Sequence, residues 1–162
     1  MTFTKEKIAK GVLSIFISFV FVQSLFFKFT NSPETQHIFG TLDTWAADLG
    51  FPGLFLAPGP FNAYVIGTTE LVASLLLLAG LFLGRKLLTL AGALIALGVI
   101  SGAIFFHLFT PLGIEVQGDG GTLFGMAVGI WISSVVLIVM HRETAFDFII
   151  KIIGNKKAKA GV

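Results

Sequence analysis

Residues 61–109 decide the fold: FNAYVIGTTELVASLLLLAGLFL (61–83), then Gly84-Arg85-Lys86, then LLTLAGALIALGVISGAIFFHLF (87–109). Each apolar half has 23 residues. Glu70 is the one acid in the first half and His107 the one imidazole in the second. At about 1.5 Å per residue a helix of that length spans roughly 30 Å, the thickness of a bilayer's hydrocarbon core. The link between the halves is short and basic. The stretch therefore reads as two membrane-crossing helices joined by a turn on a positively charged side.

Two further runs lie outward, Gly11–Phe29 and Thr122–Met140, each of 19 residues. Buried helices of soluble proteins rarely come four in a row at this length. Strands of a membrane barrel run to about 10 alternating residues, which these are not. Composition agrees: 55% of the 162 residues are hydrophobic and 12% charged, where a soluble domain carries about 25% charged. The mean hydropathy is +0.92. A soluble fold this small cannot bury so much apolar surface, whereas lipid dissolves it. The expected fold is an all-α membrane protein, a four-transmembrane-helix bundle forming a single domain over residues 1–162. Its spans are about 11–29, 61–83, 87–109 and 122–140, followed by a tail at 141–162.

Lys5, Lys7 and Lys10 precede the first span, Arg85 and Lys86 sit between the second and third, and Arg142, Lys151, Lys156, Lys157 and Lys159 follow the fourth. The opposite loops, Thr30–Pro60 and Thr110–Gly121, hold no Lys or Arg. An even number of spans puts both ends on one side, and the positive-inside rule makes that side the cytoplasm. A multi-pass protein of the bacterial inner membrane is expected. The first span resembles a secretory signal, but it is longer than a signal core of about 7–15 residues and no small-x-small site follows it. It reads as a retained helix.

Within the first extracytoplasmic loop, Ser32-Pro33-Glu34 has the order of an N-cap, a first-turn proline and a first-turn acid. Ile38, Phe39, Leu42, Trp45, Ala46 and Leu49 then recur at helical spacing up to Gly50. A short amphipathic helix over 33–50 is expected at the outer interface, with Trp45 among the headgroups. Phe51–Pro60 reads as a rigid turn. Phe146, Ile149, Ile150 and Ile153 predict a second amphipathic helix, and Lys156–Lys159 should meet anionic lipid.

Small residues four apart mark candidate helix contacts: Gly121, Gly125, Gly129 and Ser133 on the fourth span, Gly98 and Gly102 on the third, Gly80 and Gly84 at the end of the second. Such stripes let backbones approach closely in lipid, and the fourth-span stripe alternatively serves a homo-oligomer. No cysteine is present, which excludes disulfides and thiolate ligands. The three histidines are scattered, so no metal site is expected. No phosphate-binding loop, dinucleotide motif or nucleophile elbow occurs, and no nucleic-acid partner is expected.

Three ionisable groups fall inside the spans: Lys28, Glu70 and His107. Intramembrane charge is costly and usually faces a bundle interior. Gly67, Ala73 and Ser74 share the face of Glu70, so that acid should point inward and stays charged only if a cation joins it. Lys28 shares a stripe with Gly11, Ser14, Ser18, Phe21 and Leu25. It is either an interfacial anchor or the partner of Glu70 or of an anionic ligand. His107 is either a polar helix end or a hydrogen-bond donor near neutral pH. All three occupy the outer half of the membrane, which predicts one polar pocket opening outward, rimmed by Asp119 and capped by the loop helix.

At these positions the chain resembles the DoxX-like family of small four-helix bacterial membrane proteins. The matching stretches are Ser24-Leu25-Phe26-Phe27-Lys28-Phe29, Thr69-Glu70-Leu71, and Gly102-Ala103-Ile104-Phe105-Phe106-His107-Leu108. Family members include subunits of thiosulfate:quinone oxidoreductase and partners of membrane redox or stress complexes. The resemblance implies a quinone-linked redox subunit without an intrinsic cofactor, with a quinone as ligand and other redox subunits as partners. Direct sulfur chemistry is not carried over, for want of cysteine. On that reading His107 and Lys28 donate hydrogen bonds to the quinone oxygens and Glu70 carries the proton. The residues leave two alternatives open: a small-solute or proton-coupled transporter, and an assembly scaffold whose polar groups only fix helix register.

Overall fold

A computed structural model describes the backbone of residues 4–160 and, beyond position 148, the side chains of Ile150, Lys151 and Ile153 only. Six helices follow one another among the described residues: α1 (Lys5–Phe29), α2 (Pro33–Asp48), α3 (Ala63–Phe82), α4 (Lys86–Phe109), α5 (Thr122–Met140) and α6 (Arg142–Ala160). Four of them, α1, α3, α4 and α5, are long and apolar enough to cross a membrane. Their outer faces are apolar too; Phe19, Phe26 and Phe82 are 66%, 72% and 78% exposed. Water would not tolerate that belt, and the chain is an integral membrane protein.

Local chemistry sets the helix ends. Ser32 Oγ accepts from the Thr35 N–H at 3.3 Å, with Pro33 in the first turn of α2. Asn62 Oδ1 accepts from the Tyr64 and Val65 N–H groups at 2.9 and 3.1 Å, so α3 begins at Ala63. Gly121 takes a left-handed φ of 79° just ahead of α5, a conformation that favours glycine. Helix α1 starts at Lys5, earlier than the apolar run. Thr4 caps it, and Lys10 pairs with Glu6 at 2.6 Å one turn away. Ile149, Lys156, Lys157 and Lys159, named for the amphipathic tail, lie outside the residues with described side chains.

The spans close into a ring: α1 packs on α3, α3 on α4, α4 on α5, and α5 more lightly on α1, leaving α1 and α4 diagonal. Ile17, Phe21, Leu77, Ile130 and Leu137 fill the centre. One end of the bundle carries the described start of the chain and α6 (the terminal end), and the other carries both long loops (the loop end).

Helix α2 covers the loop end. Its apolar face, Phe39, Leu42 and Ala46, packs with Phe55, Ala63, Leu112 and Val116 into a second core. Trp45 is half-buried and meets the Phe106 ring edge-on at 6.3 Å. The loop helix spends its apolar face on protein because the ends of α3 and α4 offer apolar partners there. Asp43 fixes the following turn by accepting from the Gly53 and Phe55 N–H groups at 3.2 and 2.9 Å.

Candidate functional site

Side chains on a helix lean toward its N-terminus. On α1, which rises to the loop end, Lys28 therefore leans down into the bundle. On α3, which descends from the loop end, Glu70 leans up. The two meet: Lys28 Nζ lies 2.9 Å from Glu70 Oε2 and 3.1 Å from Oε1. Ser24, one turn below Lys28, completes the group. Its hydroxyl accepts from Lys28 Nζ at 3.0 Å and donates to Glu70 Oε2 at 2.7 Å, with the Phe21 carbonyl at 2.8 Å as a competing acceptor.

All three ammonium protons thus have an acceptor within reach. The side chains of Glu70 and Lys28 are only 7% and 16% exposed. Both belong to the small-residue faces of their helices. Gly67, one turn above Glu70, lies under Leu25 and Phe29; a Cβ there would meet the Phe29 ring at 2.8 Å. Ser74, one turn below, donates to the Glu70 carbonyl at 2.8 Å.

A cleft of about 320 Å³ lies at the loop end of this seam. Its walls include Asn31, Thr35 and Phe39 below α2, Phe55 in the turn, and Asn62 and Tyr64 at the start of α3. None of Lys28, Glu70, His107 and Asp119 lines it. The Tyr64 ring stacks on Phe29, centroids 6.3 Å apart and 9° from parallel. That stack joins the cleft to the residue next to Lys28.

His107 and Asp119 sit elsewhere, which corrects the expected single pocket. His107 is buried at the loop end of α4, with Nδ1 2.6 Å from the Gly113 carbonyl and its ring edge-on to Phe124 of α5 at 5.6 Å. It makes no hydrogen bond to Lys28 or Glu70 among the described residues. Asp119 accepts from the N–H groups of Leu123, Val116 and Gly121 at 2.8, 2.9 and 2.9 Å. These bonds, Leu123 first and Val116 next, hold its carboxyl below the usual range. It organises the turn at the start of α5. Equal depth does not bring side chains together when they face different neighbours: Glu70 faces α1, and His107 faces Gly113 and Phe124 of α5.

The packing glycines need correction as well. A Cβ at Gly98 or Gly125 would meet nothing within 4 Å, and one at Gly102 would meet only Phe106 of its own helix. These three pack on no neighbouring helix among the described residues. Gly121 serves the turn before α5, and of the glycines expected on the third and fourth spans Gly129 lies against a neighbour, Phe16, at 3.2 Å, while Gly80 of the second span packs on α4 as expected. The tight approaches are at Gly67, Gly80 and Gly92. A Cβ at Gly80 would strike the side chain and backbone of Thr89, and one at Gly92 would lie 2.9 Å from the Ala73 carbonyl. Gly92 and Ser24 are the residues sequence reasoning missed; the signal for Ser24 was its place four residues before Lys28.

Among the described residues no cluster of three His, Asp or Glu side chains could hold a metal ion. Comparison of the chain with protein families, curated proteins and solved structures finds no match, so its function is argued from its own residues.

Proposed function

We propose that this chain is a proton-handling membrane subunit of a quinone-linked redox system, of the DoxX-like kind, in a bacterial inner membrane with both termini cytoplasmic. The observation that carries the reading is the Lys28–Glu70–Ser24 group, a carboxylate, an ammonium and a hydroxyl within 3.1 Å of one another inside an apolar bundle. A buried ion pair adds little net stability over a well-packed apolar pair. Helix contact is already provided by the close approaches at Gly67, Gly80 and Gly92. Groups this costly to bury in lipid point to use.

The residues fit a quinone in part. Phe39, Phe55 and Tyr64 give the cleft aromatic walls for a flat ring, and its volume is at the lower end of small-molecule pockets. Quinone reduction takes up two electrons and two protons; a partner redox subunit supplies the electrons. Lys28 does not line the cleft, so a bridging water relays its proton to the quinone, and Glu70, holding both Lys28 and Ser24, passes on its replacement. His107 is not a donor in this scheme, because its Nδ1 is engaged by Gly113. The exposed Gly98 and Gly125 and the half-buried Gly102 leave room for a helix of such a partner or of a second copy.

One observation favours the scaffold alternative: every polar atom of the Lys28–Glu70–Ser24 group finds its partner within the chain. Titration of a short-chain quinone into the purified protein in nanodiscs separates the two. Glu70→Gln and Lys28→Met are expected to weaken binding about tenfold or more, with helix content unchanged. Equal affinity in wild type and both variants overturns the redox reading and leaves the scaffold.

A further inference from the structure

Hydroxyls in apolar helices ordinarily return their proton to the carbonyl three or four residues back. Ser74, Thr69 and Thr110 do so, at 2.8, 2.8 and 2.6 Å. Ser14 of α1 and Ser134 of α5 do not. Each is buried, at 1% and 0% exposure, and neither Oγ has a hydrogen-bond partner among the described residues. Unpartnered buried hydroxyls are rare and call for an explanation. Both sit on buried faces of their helices, turned from their own carbonyls into the bundle.

Their position is specific. Lys10, Ser14 and Ser18 stand four residues apart along the inward side of α1, so each step rises about 6 Å. Two waters in series, with hydrogen bonds of about 2.8 Å, bridge a gap of that size. Ser18 Oγ lies 3.5 Å from the Ser74 carbonyl on α3, and Ser74 is bonded to the Glu70 carbonyl. At the lower end, Lys10 holds Glu6 at 2.6 Å. His141, buried at the foot of α5, lies seven residues and so two turns below Ser134 on one face. Burial pushes its imidazole below the ordinary range, with the charges of Lys10 and Lys86 acting the same way.

We propose that Ser14, Ser18, Ser74 and Ser134 line an internal hydrated seam that carries protons between the terminal end of the bundle and the Lys28–Glu70 pair. The inference deepens the proton-handling reading and rests on it: protons taken up at the loop end are replaced along the seam from the opposite face. Water held by Ser14 and Ser134 gives those hydroxyls the partners that they lack within the chain. Ile17, Phe21 and Leu77 pack beside the seam and confine it.

Proteoliposomes with an entrapped pH-sensitive dye, polarised by a potassium gradient and valinomycin, test this. The wild type is expected to pass protons faster than protein-free vesicles. The Ser14→Ala/Ser134→Ala double variant is expected to slow that flux about fivefold or more, while Ser14→Thr, which keeps a hydroxyl, restores it. Flux in the double variant equal to the wild type, or wild-type flux equal to that of empty vesicles, overturns the seam. Quinone titration of the same preparations tells the two failures apart. If the seam alone is wrong, Glu70→Gln still weakens quinone binding; if the redox reading is wrong, it does not.

Discussion

The loop end of the bundle holds two acid–base sets that look alike in sequence and differ in kind. On the α1–α3 seam, Lys28 and Glu70 are 42 residues apart and bond side chain to side chain. On the α4–α5 side, His107 bonds a carbonyl six residues on, and Asp119 bonds amides two to four residues away. The first set ties two helices of the bundle, and the second shapes one loop. What separates a fold-level tie from a turn device here is the sequence distance to the partner.

The largest effect should fall on the first set. Removing one member of a buried pair leaves the other charge uncompensated and costs about 3–5 kcal/mol. Glu70→Ala and Lys28→Met are each expected to lose that much in equilibrium unfolding from mixed micelles. The double variant Lys28→Met/Glu70→Met should recover most of it, because no charge remains unpaired. A Glu70→Ala cost below about 1 kcal/mol, the range of an exposed pair, would break the comparison by making the tie no stronger than a surface contact.

Backbone contacts sharpen the same contrast. Gly92→Ala puts a Cβ 2.9 Å from the Ala73 carbonyl and should destabilise by about 1–3 kcal/mol. Gly98→Ala on the same helix meets open space; higher helix propensity should make it neutral or more stable by about 0.5–1 kcal/mol. Measured side by side in unfolding experiments, equal effects would show that the α3–α4 approach yields to a methyl group without cost. Oligomer size after Gly98→Leu would report whether that open face is used by another chain.

The limits of sequence reading follow from the same geometry. Period and length reveal the spans, and helical spacing reveals that Lys28 and Glu70 share small-residue faces. Charge balance suggests which loops lie together. The corner of the ring that each helix takes is not written in any one segment. Depth therefore groups His107 with Lys28, although α4 sits diagonal to α1. Spacing alone could not tell the closely packed Gly92 from the open Gly98, because both recur on regular stripes. Ser24 escaped notice because a lone serine carries no signal until the residue one turn above it is known to face inward.

A smaller effect belongs to Asp119. Three amides favour its charged form and depress its pKa. A depressed acid contributes stability above its unfolded pKa, near 3.8, and that contribution is lost as pH falls through the lower folded value. Hydrogen exchange at Val116, Gly121 and Leu123 should thus quicken on acidification below about pH 4. In Asp119→Asn the exchange should be fast already and insensitive to pH over that window. Loss of the cap should lower stability by about 1 kcal/mol. Exchange spreading into α1 and α3 would mean that the loop is not local after all.

The smallest effect should be at His107, and it is the sharpest discriminator. Since the Gly113 carbonyl can only accept, Nδ1 carries the proton and Nε2 is left as an acceptor in the neutral ring. An acceptor is the wrong partner for a quinone oxygen. His107→Phe keeps the edge-on aromatic contact with Phe124 and removes one neutral hydrogen bond, so its stability cost should be about 1 kcal/mol. Exchange should quicken at Leu112 and Gly113 while quinone affinity stays within about twofold of wild type. Should His107→Phe instead weaken quinone binding as far as Glu70→Gln does, the imidazole must leave Gly113 and turn toward α3 when ligand binds. The two sets would then be one site assembled on binding, and the difference between tie and turn would hold only for the empty protein.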